Sequence, residues 1–505
     1  MSFRTLTGVT ANEATGMPIA EADLAVFPRP GLLIGDKLVT DATGGEYEHE
    51  YPATGKPTLR VPLAGAAEVD AAVQAARAAV PEWRSWTVNR RRDVMLRFAA
   101  LAREHEEHIR RLAVFENGTP IRMAETFVPA MVDGFTYNAG WADKVGGDVI
   151  ATWPVPAFDY TLIEPYGVVG IIIPWNGPVP SLGMTMAPAL AAGNTVVLKP
   201  SRPAPFSPLL VGQLLLEAGF PAGVVNIIPG GPEAGDALVR HPGVDKIHFM
   251  GSSAVAKDVL AAALTNLTPT SLELGGKSAN IIFADADLDA AAELAVSAVV
   301  LMSGQACLIG TRVLIEEAVY DDVVERCRAK VEEITIGDPT LPSTRMGPLI
   351  SQGACDRVLG FVERAKANKE GRLVIGGYRL GGDLADGYFV APTIFADVDN
   401  DSDLAQREIF GPVIALHSFS TEAEALSVAN DHRYGLAAYV QTNDIKRAHR
   451  LAAALEAGAV WINGFPGAPA VAVPFGGIKH SGYGRLGGLA GIQEFSRPKN
   501  VWTAL

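Results

Sequence analysis

Cys307 and Glu273 are the two side chains whose types and surroundings point most directly to covalent chemistry. Cys307 ends the sequence GQAC, whose glycine and glutamine favour a tight, accessible turn of the kind that a reactive thiol needs. A cysteine thiolate adds readily to a carbonyl carbon and can leave a thioester, which water opens. Glu273, the first residue of the sequence ELGGK, can activate that water if it lies near the thiol. The pair predicts covalent catalysis followed by hydrolysis.

Each of these residues also has a plainer interpretation. Cys307 could pack as a small apolar side chain, and Glu273 could be an ordinary carboxylate at the end of a strand. The other cysteines, Cys327 in the sequence ERCR and Cys355 after a Gly-Ala pair, stand in helix-like segments, where we expect inert thiols. Because the chain has three cysteines in all, a disulfide framework is not expected, and a reducing cytoplasm is the simplest location.

Asn176 is the candidate for stabilising the oxyanion that thiol addition creates. It closes the sequence PWN, directly after an apolar run at residues 168–173. A fixed amide donor stabilises a developing negative charge without having to reorganise during the reaction. We expect the Asn176 amide to act together with the backbone N–H of Cys307. The alternative is an asparagine that caps a loop, which is a common use of this residue.

The elements that must position these side chains form an alternating pattern in the middle of the chain. Strand-like apolar runs occupy residues 168–173, 195–198, 224–228 and 246–250, and helix-like segments occupy residues 187–192, 208–218, 234–239 and 254–263. Strands that are apolar on both faces and separated by helices predict a parallel sheet covered on both sides. Ligands bind such sheets at the carboxyl ends of the strands.

Four other segments have a clear pattern. Residues 31–39 are typical of a strand and turn, and residues 66–80 and 91–114 of two amphipathic helices, the second ended by Asn117 and Gly118. Residues 146–166 are typical of a strand pair that projects from the body. A second α/β stretch is expected over residues 278–475, and its first helix, over residues 288–302, leads to Cys307.

Small and polar residues follow each strand of the predicted parallel sheet. Gly230, Gly231 and Gly235 follow the third strand, and Gly251 and Ser252 follow the fourth. Glycines let the backbone approach a phosphate, and a helix that begins after Ser252 would offer it free N–H groups. Gly230 and Gly231 alone could also be turn residues.

In this order and spacing, the motifs resemble those of the aldehyde dehydrogenase superfamily. The resemblance continues through EIFGP at residues 408–412, YGL at 434–436, WIN at 461–463 and PFGGIKHSG at 474–482, and it runs from about Gly31 to Thr503. It implies the oxidation of an aldehyde to a carboxylic acid with reduction of NAD or NADP. By resemblance, Cys307 carries the thiohemiacetal and the thioester, and Glu273 activates the hydrolytic water.

The resemblance also implies which residues hold the cofactor. Lys199 would bind the adenine ribose, Ser252 the pyrophosphate and Glu408 the nicotinamide ribose, while Phe410 would pack near the nicotinamide. The full set of expected cofactor-binding residues is Ile172, Pro174, Trp175, Lys199, Ser201, Arg202, Gly231, Gly235, Phe249, Gly251, Ser252, Leu274, Gly275, Glu408 and Phe410. No metal ion is expected.

The fold implied by the resemblance is α/β with three parts. A Rossmann-type parallel-sheet domain for NAD(P) is expected over residues 1–145 and 167–274, and an α/β catalytic domain over residues 275–480. A small β extension for oligomerisation is expected over residues 146–166 and 487–505. Because an exposed strand edge invites pairing with another subunit, we expect a homodimer or a homotetramer.

The sequence departs from the superfamily pattern at three kinds of position. Arg202 stands where NAD-preferring members commonly have a glutamate, so a cofactor with a 2′-phosphate stays open as an alternative. Thr185 and Leu486 replace a lysine and a glutamate proposed to relay protons during deacylation, so Glu273 is expected to act more nearly alone. Gly177 stands where members that act on small aliphatic aldehydes often have an aromatic residue, and residues 464–473 contain no charge. These last features favour a bulky apolar or aromatic aldehyde.

Composition excludes several other classes of protein. The net charge of −14 argues against nucleic-acid or anionic-membrane partners, and no run of residues is long and apolar enough to span a membrane. The N-terminus lacks the apolar core of a signal peptide. His105 and His108 resemble a metal motif, but they lie three residues apart among charges that are typical of a solvated helix face.

The alternative to an aldehyde dehydrogenase that releases the free acid is a CoA-acylating or a non-catalytic relative of the same superfamily. Hydrolysis of esters would be a side activity of the same thiol.

Overall fold

The computed structural model of the chain describes residues 24–465 and 470–504. The N-terminal end of the predicted cofactor domain, the middle of the predicted uncharged loop and the final residue of the predicted extension lie outside these ranges. Among the described residues, none of the helices has the length and apolar character needed to cross a bilayer. The same residues contain no group of three or more His, Cys, Asp or Glu side chains arranged to hold a metal ion.

The strands, in chain order and within the described ranges, are β1 (Leu32–Ile34), β2 (Lys37–Val39), β3 (Glu46–Tyr51), β4 (Lys56–Pro62), β5 (Val149–Ile150), β6 (Ala157–Pro165), β7 (Val168–Ile172), β8 (Thr195–Lys199), β9 (Val225–Ile227), β10 (Lys246–Gly251), β11 (Thr270–Leu274), β12 (Ala279–Ile282), β13 (Arg312–Glu316), β14 (Arg372–Ile375), β15 (Thr393–Ala396), β16 (Val413–Phe419), β17 (Tyr434–Gly435), β18 (Ala437–Gln441), β19 (Ala459–Ile462), β20 (Ile478–Lys479), β21 (Gly482–Tyr483) and β22 (Ser496–Ala504).

The helices, in the same order and ranges, are α1 (Ala66–Ser85), α2 (Val88–Glu104), α3 (Glu106–Asn117), α4 (Ile121–Ala124), α5 (Phe127–Trp141), α6 (Pro178–Ala191), α7 (Phe206–Glu217), α8 (Pro232–Val239), α9 (Ser253–Ala263), α10 (Leu288–Val300), α11 (Tyr320–Glu332), α12 (Gln352–Asn368), α13 (Asp403–Gln406), α14 (Glu422–Asn430), α15 (Ile445–Ala454) and α16 (Gly488–Glu494).

The first sheet has eight strands in the order β2-β1-β9-β8-β7-β10-β11-β21. Its five central strands, from β9 to β11, are parallel, whereas the β1–β2 hairpin at one edge and β21 at the other pair in antiparallel fashion. Every residue of β7 and β8 is buried, as expected for strands covered by helices on both faces. The parallel sheet predicted from the alternating pattern is confirmed. The addition of β21 brings the C-terminal part of the chain against the strand that ends in Leu274.

The second sheet has seven strands in the order β14-β15-β16-β13-β12-β18-β19. Six of them are parallel, and β14 pairs with β15 in antiparallel fashion. The helix α10, which was expected to lead to Cys307, ends at Val300 and is followed by a short 3-10 turn over Leu301–Gly304. The two sheets together confirm the α/β fold class.

A small antiparallel sheet, in the order β22-β6-β5, forms from the segments predicted to project from the body. β22 pairs with β6 along its whole length, from Ser496 opposite Pro165 to Ala504 opposite Ala157. Its exposed apolar side chains are Val149, Ile150, Trp153, Val155, Phe158, Leu162 and Trp502. We call this sheet and its loops the β extension.

Two helical segments differ from the prediction for identifiable reasons. The single helix expected over residues 91–114 is two helices, α2 and α3, because His105 has a non-helical ψ of 12°. Both helices bury the same apolar stripe, so the pattern alone does not show the break. The helix α6 begins at Pro178, well before the predicted segment of residues 187–192. Pro178 and Pro180 occupy the first turn, where no backbone N–H bond is lost, so they start the helix instead of ending it, whereas Pro188 lies inside the helix.

Candidate active site

A cavity of about 560 Å³ lies between the first and second sheets and brings together most of the predicted site residues. Its volume falls in the range of roughly 300–1,000 Å³ that is usual for small-molecule sites. The predicted residues that line it are Pro174, Trp175, Asn176, Gly251, Ser252, Glu273, Leu274, Gly275, Cys307, Glu408 and Phe410.

The other predicted cofactor residues lie along the same edge of the first sheet. Ile172, Lys199 and Phe249 are neighbours across three adjacent strands, because Ile172 pairs with Lys199 on one side and with Phe249 on the other. Ser201, Arg202, Gly231 and Gly235 follow the ends of β8 and β9. The structure therefore places the predicted cofactor residues of the first sheet at the carboxyl edge of its parallel strands, whereas Glu408 and Phe410 come from the loop before β16 of the second sheet.

The loop that carries Cys307 has an uncommon backbone. Met302 and Ser303 have φ values of 51° and 57°, which non-glycine residues rarely adopt, and Gly304 follows with φ of 75°. A Cβ atom on Gly304 would lie 2.2 Å from the backbone carbon of Gly411, so this position requires glycine. Strained conformations of this kind persist where surrounding contacts hold them, and they cluster at functional sites.

Gln305 holds this loop in place. Its Oε1 atom accepts a hydrogen bond from the backbone N–H of Ile350 at 3.0 Å, and its Nε2 atom donates to the Met302 carbonyl, also at 3.0 Å. Ser303 adds a bond from its hydroxyl to the Gly347 carbonyl at 2.8 Å. Sequence reasoning placed Gln305 in an accessible turn and missed its role as a clamp, because its partner at residue 350 is remote in the sequence.

The thiol of Cys307 lines the cavity, which the carboxyl groups of Glu408 and Glu273 line as well. Burial first, and then Glu408 and Glu273, raise the pKa of Cys307 to about 12. The pKa values of the buried Cys327 and Cys355 are also raised, to about 12 and about 11. Acidity therefore does not distinguish Cys307 in this state. Its position on the cavity does, because the other two cysteines lie buried within α11 and α12.

Glu273 presents a buried carboxyl to the same cavity. Its Oε2 atom is buried without a hydrogen-bond partner in the part of the chain that the structure describes. Burial raises the pKa of Glu273 well above its usual value, Arg485 opposes this effect, and Glu494 adds to it. A carboxyl group with a raised pKa is a stronger base once it is ionised, which suits it to activate water.

Asn176 contacts the loop of Cys307 directly. Its Nδ2 atom donates to the backbone carbonyl of Gln305 at 2.8 Å. Because a side-chain amide carries two N–H groups, this bond fixes the amide and leaves a second N–H group for another acceptor. The structure therefore places the Asn176 amide beside the loop that carries Cys307.

Glu408 and Gly275 form a tightly packed corner of the cavity. Glu408 accepts a hydrogen bond from the backbone N–H of Gly276 at 3.1 Å, and burial raises its pKa to about 7. A Cβ atom on Gly275 would lie 2.0 Å from Glu408 Oε2, so this carboxyl group requires glycine beside it. Phe410, two residues further on, packs edge to face with Trp175 at 5.6 Å between ring centroids.

Lys199 and Ser252 lie at the other end of the predicted cofactor site. Lys199 is buried, its Nζ atom donates to the Pro200 carbonyl at 3.3 Å, and burial lowers its pKa to about 8. Ser252 caps α9, where its hydroxyl accepts from the backbone N–H of Val255 at 3.3 Å. The first turn of α9 thus begins beside the cavity, with its positive end toward it.

The two positions expected to lack relay side chains are closed to the cavity. The Thr185 hydroxyl donates to the Ser181 carbonyl at 2.7 Å and is fully buried. Leu486 is buried and exchanges both backbone hydrogen bonds with Phe475 at 2.7 Å. Neither side chain offers a titratable group to Glu273.

The sequence favoured an apolar substrate site, but sequence reasoning did not identify the residues that form the apolar wall of the cavity or one cation in it. The apolar wall residues come from distant segments: Met123, Phe127, Ala130, Pro180, Met184, Leu301, Met302, Leu308 and Phe475. Arg357, on α12, also lines the cavity and donates to the Phe410 carbonyl at 3.1 Å. No local motif marks these residues, since they meet only when the helices α4 to α6 and α12 pack against the two sheets.

Comparison with known proteins shows the same family over nearly the whole chain. The model of the aldehyde dehydrogenase family matches residues 39–501. The mitochondrial benzaldehyde dehydrogenase of Antirrhinum majus is 42% identical over 479 residues, which cover 94% of this chain and 89% of the relative.

Two solved structures of bacterial enzymes have the same fold. An aldehyde dehydrogenase from Bacillus cereus, in complex with NAD+, is 38% identical with a TM-score of 0.92, and the match covers 97% of this chain and 99% of that one. The indole-3-acetaldehyde dehydrogenase AldA of P. syringae, in complex with NAD+ and IAA, is 36% identical with a TM-score of 0.91, covering 94% and 97%. This chain belongs to the aldehyde dehydrogenase family, whose members oxidise an aldehyde to a carboxylic acid with NAD or NADP.

Proposed function

We propose that the chain oxidises a bulky apolar or aromatic aldehyde through a thioester on Cys307, which water activated by Glu273 hydrolyses. The observation that carries the proposal is the single cavity that holds Cys307, Glu273 and Asn176 beside the Glu408 corner. The reaction needs a nucleophile, an oxyanion donor, a base and a bound cofactor in one place, and each has a candidate there.

The residues at the sheet edge fit a dinucleotide. The Lys199 ammonium has three N–H groups, and its bond to Pro200 leaves donors for ribose hydroxyls. The first turn of α9 offers free backbone N–H groups to a pyrophosphate, and the Glu408 carboxylate can accept from the second ribose. When bound, an oxidised nicotinamide supplies a hydride acceptor and a positive charge, which favours the Cys307 thiolate.

In the first half-reaction, the Cys307 thiol loses its proton to solvent, and the thiolate Sγ adds to the aldehyde carbon. The second N–H of Asn176 Nδ2 and the Cys307 backbone N–H donate to the oxyanion that forms. Loss of hydride from the same carbon then leaves a thioester on Cys307. Because Asn176 is already fixed to the Gln305 carbonyl, it needs no reorganisation to act as a donor.

In the second half-reaction, Glu273 takes a proton from water, which attacks the thioester carbon. The oxyanion collapses, the bond between Cys307 Sγ and the acyl carbon breaks, and the acid leaves. The sulfur takes up the proton that Glu273 holds, which restores the thiol and the Glu273 carboxylate. Glu273 suits this role because, within the described structure, no donor binds its buried Oε2 atom. This oxygen is therefore free to accept a proton from water.

The apolar wall supports the proposed substrate class. Phe127, Met184, Met302 and Phe475 line the cavity, and methionine side chains adapt their shape to aromatic rings. Gly177 leaves room beside them, since a Cβ atom there would meet Pro180 at 3.4 Å and Met302 at 3.9 Å. Relatives named for benzaldehyde and indole-3-acetaldehyde agree with a bulky aromatic substrate.

Replacing Gly177 by phenylalanine should narrow the cavity selectively. The backbone φ of −168° at Gly177 is extended and accepts any residue, so the variant should fold. We expect kcat/KM for benzaldehyde to fall about 10-fold or more, because the added ring competes for the volume beside Met302, while acetaldehyde is oxidised about as before. Absorbance of the reduced cofactor measures both. Gly177→Ala is the matched control, and an equal loss with both aldehydes would contradict the proposal.

We also propose that Arg202 lets the enzyme use NADP beside NAD. Arg202 is exposed three residues after Lys199, with its guanidinium 5.9 Å from the centre of the Tyr47 ring. An arginine there can bind a 2′-phosphate through charge-assisted hydrogen bonds.

Arg202→Glu should therefore reduce kcat/KM for NADP by about 10-fold or more and leave that for NAD nearly unchanged, because a carboxylate repels the phosphate. Steady-state rates with each cofactor and one aldehyde check this expectation. Arg60→Glu, a surface charge reversal on β4, serves as the control. Unchanged use of NADP by Arg202→Glu would show that the arginine takes no part in cofactor choice.

We also propose the division into a cofactor domain, a catalytic domain and the β extension, at the boundaries given above. Assembly into a homodimer or homotetramer and a cytoplasmic location are proposed as well. The β extension supports assembly, because Trp153, Val149 and Trp502 are 91%, 75% and 51% exposed. Large apolar side chains grouped on a surface mark interaction sites. A light-scattering mass of 53.2 kDa, that of one chain, would contradict assembly.

A further inference from the structure

Behind Glu273 lies a buried ion pair that the reaction described above does not use. Lys246 Nζ lies 2.7 Å from Glu494 Oε1, and the two side chains are 3% and 18% exposed. The other oxygen of Glu494 accepts a hydrogen bond from the backbone N–H of Arg485 at 3.2 Å. We call Lys246, Glu494 and Arg485 the Glu494 cluster. Burying charges is unfavourable unless they are paired, so such a pair so near a reacting group needs an explanation.

The glycines of the C-terminal strand region bring the Glu494 cluster close to the base. A Cβ atom on Gly476 would lie 2.6 Å from Glu273 Oε1, 2.7 Å from the Gly484 carbonyl oxygen and 3.0 Å from Arg485 Cδ. A Cβ atom on Gly484 would lie 2.8 Å from Glu494 Oε2. Glu273 and Glu494 therefore approach the same short stretch of backbone from two sides.

The pairing of strands fixes this arrangement. β21 adds to the first sheet so that Gly482 lies opposite Glu273. The guanidinium of Arg485 is held in turn, since its Nη1 atom donates to the carbonyls of Gly477 at 2.9 Å and Gly484 at 2.6 Å. The carboxylate of Glu494 thus has anchors on both oxygens and cannot move away from the base without breaking them.

We propose that Glu494, anchored by Lys246 and by the Arg485 backbone, is a positioning residue for the hydrolytic base, because its fixed negative charge acts on Glu273 from behind. The inference rests on the proposed role of Glu273. It assigns Glu494 no contact with substrate, and its effect on the reaction passes through the charge of Glu273.

The charged and titratable groups around this pair define the expected effect. Those that interact with Glu273 or Glu494 are Tyr166, Lys246, Cys307 and Arg485, while His248 lies near Lys246 and Arg497 lies over the ring of Tyr166. His248 remains uncharged above acid pH, because burial and Lys246 lower its pKa to about 3. Glu494 raises the pKa of Glu273, whereas Arg485 lowers it.

These charges determine the direction in which each substitution shifts the pKa of Glu273. Glu273 activates water in its ionised form, so the deacylation rate rises as pH passes upward through the pKa of Glu273. Glu494→Gln keeps an oxygen that accepts from the Arg485 N–H but removes the negative charge, which lowers that pKa. Lys246→Met removes the positive charge that balances Glu494, which raises the pKa of Glu273.

The test measures the steady-state rate against pH together with the burst of reduced cofactor that reports thioester formation. We expect the acid limb of the rate profile to move to lower pH by about 0.5 to 1 unit in Glu494→Gln and to higher pH in Lys246→Met, with full burst amplitude in both. Glu164→Gln, which breaks the exposed Lys499 pair in the β extension, is the control and should not move the limb.

Three outcomes would overturn the inference: an unmoved limb in Glu494→Gln, shifts of the same sign in both variants, or an equal shift in the control. If one variant does not fold, the direction in which the other variant moves the acid limb tests the inference. Failure of the proposed function looks different, because the native enzyme itself would then show no burst that depends on Cys307.

Discussion

Cys307→Ala is expected to abolish aldehyde-dependent reduction of NAD or NADP, with a loss of roughly 10³-fold or more in kcat/KM. Without the sulfur atom, no tetrahedral adduct forms, and an aldehyde carbon that carries no added nucleophile is a poor hydride donor. The fold should be retained, because the loop is held by Gln305 and Ser303 and not by the thiol. Circular dichroism and absorbance of the reduced cofactor give the two measurements.

The other two cysteines provide matched controls. Cys327→Ala and Cys355→Ala remove buried thiols from helices α11 and α12, away from the cavity. These variants should lose a little stability through the small holes they leave, but their activity should stay near that of the native chain. Activity retained in Cys307→Ala, or lost in one of the control variants that folds normally, would remove Cys307 from the catalytic role.

Glu273→Gln is expected to separate the two half-reactions. The amide cannot accept a proton from water, so steady-state turnover should fall by roughly 10²-fold to 10⁴-fold. Thioester formation should persist, because Glu273 raises the pKa of Cys307 and its neutralisation favours the thiolate. Stopped-flow absorbance should therefore show a burst of reduced cofactor, equal to the number of active sites, followed by very slow turnover.

The nature of the acyl acceptor can be determined with the same variant. If water is the acceptor, added CoA leaves the slow phase of Glu273→Gln unchanged, and the native enzyme releases the free acid. Rapid turnover with CoA, and a CoA ester as the product, would favour the CoA-acylating alternative. Glu408→Gln is the matched control, since its carboxyl also lines the cavity but is proposed to hold the cofactor, so it should raise the KM for the cofactor.

Much of the architecture could be predicted from local sequence. The fully buried strands β7 and β8 stand out as short apolar runs, and the glycines and Ser252 mark the ends of their neighbours. Because the carboxyl ends of parallel strands meet at one edge, the strand pattern was enough to place Asn176 and Lys199 on the same side of the sheet. The predicted tight turn before Cys307 has its counterpart in the left-handed backbone from Met302 to Gly304.

What could not be predicted depends on contacts between distant segments. The break at His105 leaves the apolar stripe of the two helices continuous, so periodicity does not reveal it. Gln305 acts as a clamp through a bond to Ile350, and Glu494 reaches Arg485 because β21 joins the first sheet. The acidity of the Cys307 thiol also depends on how close the Glu408 carboxyl group lies to it. No pattern in the sequence gives the distance between these two groups.

The most direct test of the account is to trap the acyl group on the enzyme. Glu273→Gln is mixed with benzaldehyde and NAD+, quenched in acid and analysed by intact-protein and peptide mass spectrometry. The account predicts one benzoyl group per chain, on the peptide that contains Cys307, and none in Glu273→Gln that also carries Cys307→Ala. Formation of reduced cofactor without any acyl adduct, or an adduct on another residue, would contradict a thioester on Cys307.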